Sequence, residues 1–171
     1  MARNGDVKSA ESLVALTAID CDDCVEARAM VAAEKHDWAT MRHWYALVSA
    51  RTPSIPYFDS SWGEALLRKG DLDAAIAKFA SVNRKGPHFA DPLEMWGEAL
   101  IAKNRSDLAL TKFEEADKYA PNWGRLHLKW GEALYWSGDK TGAQKQFAIA
   151  RTLDLTPPEK SQLARMRGVH G

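Results

Sequence analysis

Two sulfur atoms are the most reactive groups in this 171-residue chain. Cys21 and Cys24 form Cys-x-x-Cys, the spacing of a redox pair or of half a metal site. Their surroundings argue against both. Asp20, Asp22 and Asp23 crowd the pair with negative charge, which opposes thiolate formation. The chain has no second Cys pair and no His at zinc-site spacing. Two ordinary reduced cysteines are therefore expected, and thiol titration with and without reductant separates the readings. His36, His43, His88, His127 and His170 are scattered, with no pair at i, i+4 enclosing a carboxylate. No Gly-x-Ser-x-Gly and no glycine-rich phosphate loop occurs. The expectation is a protein with no catalytic set, no metal site and no cofactor. Enzymatic activity is the least supported class.

The remaining chemistry is a carboxylate that recurs. Trp-Gly-Glu-Ala-Leu occurs at Trp62–Leu66, Trp96–Leu100 and Trp130–Leu134, so Glu64, Glu98 and Glu132 stand 34 residues apart. Pro53, Pro87 and Pro121 keep that period, as do Tyr45, Phe79, Phe113 and Phe147, and Ala75, Ala109 and Ala143. A fixed period of this length marks one supersecondary unit copied and stacked. Four copies are predicted, at 22–55, 56–89, 90–123 and 124–157.

Each copy reads as helix–turn–helix. The run Tyr57–Lys69 has apolar residues at helical spacing and stops at Gly70, which tolerates the left-handed conformation that follows a helix. Gly138 and Asn104 share this register, and His36 is a weaker substitute. Asp37, Asp71 and Asp139 follow and are expected to cap the next helix, with Ser106 or Asp107 in the third copy. The second helix then runs from about Leu72 to Arg84, with Ala75, Ile76, Phe79 and Val82 on one face.

These residues resemble the tetratricopeptide repeat family over residues 22–157. Trp62-Gly63-Glu64-Ala65-Leu66 sits where the family has Leu-Gly-x-x-Tyr, and Ala75, Phe79 and Pro87 supply its later positions. The family's first tryptophan position holds Asp59, Leu93 and His127 instead. The first copy has Arg28 and Ala29 in place of Trp-Gly, and the fourth has Leu155 where the proline belongs. The resemblance implies an all-α fold, an α-solenoid of four such repeats in one domain of residues 1–171. It also implies that Gly63, Gly97 and Gly131 meet Ala75, Ala109 and Ala143 where the helices of a unit cross. An amphipathic helix at about 6–19 is expected to cover the first repeat, and a helix at about 158–168 to cap the last. The tail Gly168–Gly171 is expected to be disordered.

Net charge is zero, with a surplus of four acids in residues 1–100 (11 Lys and Arg, 15 Asp and Glu) and of four bases in 101–171 (12 and 8). The whole is not steered toward nucleic acid or an anionic membrane. No segment approaches the ~20 apolar residues of a membrane helix, and Leu13–Ile19 lacks a cleavage site, so a cytoplasmic protein is expected.

In tetratricopeptide arrays the first helix of each repeat lines a concave groove. By that resemblance Glu64, Glu98 and Glu132 form a ladder along it. Asp23, Glu26, Glu34, Tyr57, Leu67, Asp91, Glu94 and Ile101 lie near the ladder, with Tyr135 and Trp136 beside its last rung. Basic candidates are fewer: Arg68, Arg125 and Lys129. The implied function is a scaffold binding a protein or peptide with basic side chains in an acidic groove, with no nucleic-acid or membrane partner. The other reading of the ladder is that copying carried it along or that each Glu pairs with a nearby base. Recognition of an acidic chaperone tail is disfavoured by the groove's sign. The alternatives for function are a self-associating repeat module forming a homo-oligomer, or the regulatory repeat portion of a larger enzyme.

Overall fold

The computed structural model describes residues 7–168, and among them helices are the only regular elements. Tail residues 169–171 lie outside the described residues. A short helix α1 (Val7–Ala15) comes first. Four hairpins follow: α2 (Asp22–Glu34) with α3 (Trp38–Arg51), α4 (Pro56–Lys69) with α5 (Leu72–Lys85), α6 (Ala90–Ala102) with α7 (Ser106–Asp117), and α8 (Gly124–Trp136) with α9 (Lys140–Thr152). The last helix is α10 (Pro157–Gly168). First helices begin at 22, 56, 90 and 124 and second helices at 38, 72, 106 and 140, so the sequence period is also the structural one. The chain divides into two compact units, residues 1–85 and 86–171.

The hairpin turns follow backbone stereochemistry. Gly70 (φ 84°) and Gly138 (φ 95°) take the left-handed region, and so do Asn104 and His36 (φ 57° each). Asp37 and Asp139 accept from the backbone N–H of Thr40 (3.1 Å) and Gly142 (2.9 Å), closing the next helices. In the third hairpin neither Ser106 nor Asp107 caps: α7 already starts at Ser106, leaving Arg105 at the cap with no side-chain bond.

Each hairpin closes around one aromatic ring. A Cβ built on Gly63 would lie 2.5 Å from the Phe79 ring, and one on Gly131 equally close to Phe147. The atoms nearest each of these built Cβ positions belong to the phenylalanine ring. A methyl is too wide for the gap, whereas the buried ring fills it. Ala75, Ala109 and Ala143 are buried nearby in sequence on the second helices. The tryptophans meet lysines: Lys78 Nζ is 3.5 Å from the Trp62 ring centre, and Lys112 Nζ is 4.3 Å from that of Trp96.

In the second unit α10 sends Leu163 into a cluster of Leu128, Leu134, Ala143, Phe147, Ala150 and Leu155. In the first unit α1 buries Ala10 but ends at Ala15, four residues before the expected limit at Ile19. Leu13, Leu16 and Ile19 are exposed, so the apolar run does not form a continuous buried stripe.

The cysteines also depart from expectation. Cys21 and Cys24 are joined by a disulfide. The reason is local: the first turn of α2 brings their Cα atoms to 5.1 Å, within bridging range. Cys21 is the N-cap of α2, and its sulfur accepts from Cys24 N–H at 3.2 Å. A loop this short constrains the unfolded chain by about 2 kcal/mol at most. Reductant is expected to lower the free energy of unfolding by no more than that amount, read from the shift in denaturation midpoint. An identical midpoint with full thiol release would show that the bridge contributes nothing to stability.

Candidate functional site

In the first unit, α2 and α4 lie side by side. Glu26, on α2, is only 5 % exposed. Hydroxyls of Ser61 and Tyr57 on α4 bond its carboxyl, yet its Oε1 is buried with no hydrogen-bond partner. Asp23 and Glu64 add negative charge. Burial raises the Glu26 pKa; the two hydroxyls oppose the rise, while Asp23 and Glu64 add to it. The Glu26 charge, aided by burial, pushes the Tyr57 phenol up. Tyr57 itself is 57 % exposed, with its ring edge against Phe58. Arg68 pairs with Glu34 at 2.6 Å, and Leu67 is half-buried.

The second unit treats the corresponding positions differently. Glu94 is fully buried. Arg125 Nε donates to its Oε1 at 3.2 Å and Arg125 Nη2 to Glu98 Oε1 at 2.8 Å. Lys129 Nζ lies 3.4 Å from Glu98 and 3.5 Å from Glu132, and the Gln162 amide donates to Glu132. Burial and the adjacent Glu98 charge raise the Glu94 pKa well above the ordinary value, against the pull of Arg125. Burial would raise Glu98 as well, but the bond from Glu94 and the charges of Lys129 and Arg125 hold it down. The second Glu94 oxygen, Oε2, is buried with no hydrogen-bond partner.

The carboxylate ladder is therefore not an open acidic trough in this unit. Glu98 and Glu132 are matched by Arg125 and Lys129, and Glu94 is covered by Arg125 rather than lining a surface. Asp91 is exposed and Ile101 half-buried. Tyr135 packs edge-on against Trp136, which is well exposed.

One charged centre escaped the sequence reading. Asp59, in the register of the missing first tryptophan, is 3 % exposed. Ser49 and Lys78 donate to its Oδ1 at 3.1 and 2.9 Å, and Ser81 and Lys85 to its Oδ2 at 3.1 and 2.6 Å. Val25, Leu93 and His127 occupy the same register and are also buried. Nε2 of His127 donates to the Pro121 carbonyl at 2.8 Å, and Nδ1 lies 2.7 Å from the Gln146 amide. That position is a core position in every hairpin, filled by whatever its neighbours satisfy.

Among the described residues no three His, Cys, Asp or Glu converge as metal ligands. No described helix is long and apolar enough to cross a membrane.

Hairpins of one period, each with a left-handed turn and three of them with a glycine against a phenylalanine ring, place the chain among helical-hairpin repeat proteins. No family model and no curated protein matches the chain. Solved structures do match. The tetratricopeptide-repeat protein TTC0263 of Thermus thermophilus aligns at a TM-score of 0.76 and 17 % identity, over 88 % of this chain and 84 % of its own. PilF of Pseudomonas aeruginosa aligns at 0.76 and 14 % identity, over 97 % and 79 %. MamA of Desulfovibrio magneticus RS-1 aligns at 0.74 and 16 % identity, over 88 % and 87 %. The fold is that of the tetratricopeptide repeat.

Proposed function

We propose that the chain is a non-enzymatic protein-interaction module that uses the first helices of its repeats, and that the acidic surface of α2 and α4 receives a basic partner segment. The observation that carries the reading is the contrast between the units. Acids of α6 and α8 meet Arg125 and Lys129, whereas the buried Glu26 has Tyr57 and Ser61 beside it, which bring no positive charge, and the acids Asp23 and Glu64 nearby. Complementary charge gives such a surface selectivity and a fast on-rate. Nucleic acid is disfavoured by the same sign.

Calorimetric titration of the full chain tests this with a synthetic peptide bearing Arg, Lys and two apolar anchors, beside its Asp/Glu counterpart. Binding confined to the basic peptide, weakened by added salt and by Asp23→Asn with Glu64→Gln, is the expected outcome. Equal affinity for both peptides would reject it. Replacing Glu98 or Glu132 is a poor test, because both belong to one ion-pair network with Arg125 and Lys129.

Self-association is the second reading, favoured by the exposure of Trp136, Leu13, Leu16 and Ile19. Light scattering across concentration decides it: a strict monomer removes it. For location, a cytoplasmic setting predicts free thiols in protein alkylated at lysis, and an intact Cys21–Cys24 bridge points to an oxidising compartment.

A further inference from the structure

The internal repeat supplies a comparison that the molecule makes with itself. Glu94 lies two 34-residue periods after Glu26, and Arg125, Lys129 and Glu132 lie two periods after Tyr57, Ser61 and Glu64. The two constellations share their helices as well as their register: α2 with α4 in the first unit, α6 with α8 in the second. In the second unit a buried carboxyl receives the Arg125 guanidinium at 3.2 Å, and that same guanidinium reaches Glu98 at 2.8 Å. In the first unit the carboxyl is also buried, though less completely, and the position of the arginine holds Tyr57. One Glu26 oxygen is left buried without a hydrogen-bond partner, as one Glu94 oxygen is in the second unit. An orphaned acceptor of this kind costs stability until a donor reaches it.

We propose that Glu26, with Asp23, Tyr57, Ser61 and Glu64, forms a subsite for one arginine side chain of a protein partner, whose guanidinium takes the place that Arg125 takes in the second unit. Three features select arginine. The planar guanidinium presents donors that can serve two carboxylates at once, as Arg125 does with Glu94 and Glu98. The acids Asp23, Glu26 and Glu64 supply complementary charge. The aromatic ring of Tyr57 offers a face on which a guanidinium stacks. Entry requires the phenol to swing off Glu26, and an exposed side chain changes rotamer within nanoseconds. The subsite rests on the reading of this face as the partner-binding surface, and narrows it from basic segments in general to an arginine at one position.

The test uses the full chain and a small probe. N-acetyl-arginine amide is titrated into isotopically labelled protein, beside the neutral near-isostere N-acetyl-citrulline amide, and the amides of Glu26, Tyr57 and Ser61 are followed by NMR. Saturable shifts at those amides with arginine, at least tenfold weaker with citrulline and at least tenfold weaker in Glu26→Gln, are expected. Tyr57→Arg puts a guanidinium in the register of Arg125, facing Glu26 with Met30 where the second unit has Glu98, so it should abolish the shifts and raise the thermal midpoint. Arginine and citrulline binding alike, binding indifferent to Glu26→Gln, or no saturable shift at these amides overturns the subsite. The basic peptide then separates the two levels. Equal binding to wild type and Glu26→Gln removes the subsite and leaves the acidic face standing, while no binding to wild type removes the acidic-face reading. The small-probe result decides the subsite in either case.

Discussion

Asp59→Ala is expected to lower the free energy of unfolding by about 3 kcal/mol, near the low end for breaking a buried ion pair. The carboxylate is the hub for two lysines and two serines, and its loss leaves all four donors facing a cavity. The low end applies because the Lys78 and Lys85 side chains keep about a quarter and a fifth of their exposure (24 % and 21 %) and can turn toward water. Asp59→Leu should cost less, since Leu93 fills the same register in the next hairpin. Burial raises the Asp59 pKa, but the bonds and charges of Lys85 and Lys78 outweigh it and hold the carboxyl at about 2. A folded pKa below the unfolded value means stability that is complete above about pH 4 and lost as pH falls through the folded value. The shift corresponds to roughly 2 kcal/mol. Urea denaturation of wild type and Asp59→Asn from pH 5 to pH 2 checks both statements. The wild-type advantage should shrink with acid, and parallel curves would refute the assignment.

Gly97→Leu is expected to destabilise by about 1–3 kcal/mol through overpacking. A Cβ there would lie 2.7 Å from Phe113 Cζ and 2.8 Å from Cε1, and that ring is itself only 1 % exposed. The ring has nowhere to retreat. Gly97→Ala should cost less, because alanine gains up to about 1 kcal/mol of helix propensity over glycine. The first hairpin carries this pair already, with Ala29 in the glycine register and Tyr45 in that of the ring, both buried. Denaturation midpoints for the three proteins measure the series; a leucine variant as stable as the parent would show that the contact is not tight.

The sequence period disclosed the architecture because periodicity survives any single substitution. All eight hairpin helices begin in register, and His36, Gly70, Asn104 and Gly138 occupy the left-handed turns. Those turns were legible because few residue types tolerate positive φ. The charged centres were harder to read, since pattern places a side chain on a helix without saying what faces it. Asp59 was nevertheless detectable. Its register partners Val25 and Leu93 are apolar, so an acid there has to be buried and matched. Glu26 carries a similar signal, because Leu128 shares its register. The ladder Glu64, Glu98 and Glu132 shows the converse: a repeated letter does not say what each copy meets, and Glu98 and Glu132 meet Arg125 and Lys129. The disulfide was discounted on the negative charge of Asp20, Asp22 and Asp23. That charge opposes a thiolate but has no bearing on whether the first turn of a helix can bring two sulfurs together.

The four turns are not equally comfortable. Two carry glycine, while His36 and Asn104 hold a φ that most side chains avoid. The molecule has therefore left easy thermostability unclaimed, and adapting it to heat calls for no new interaction, only the removal of a side chain at those two bends.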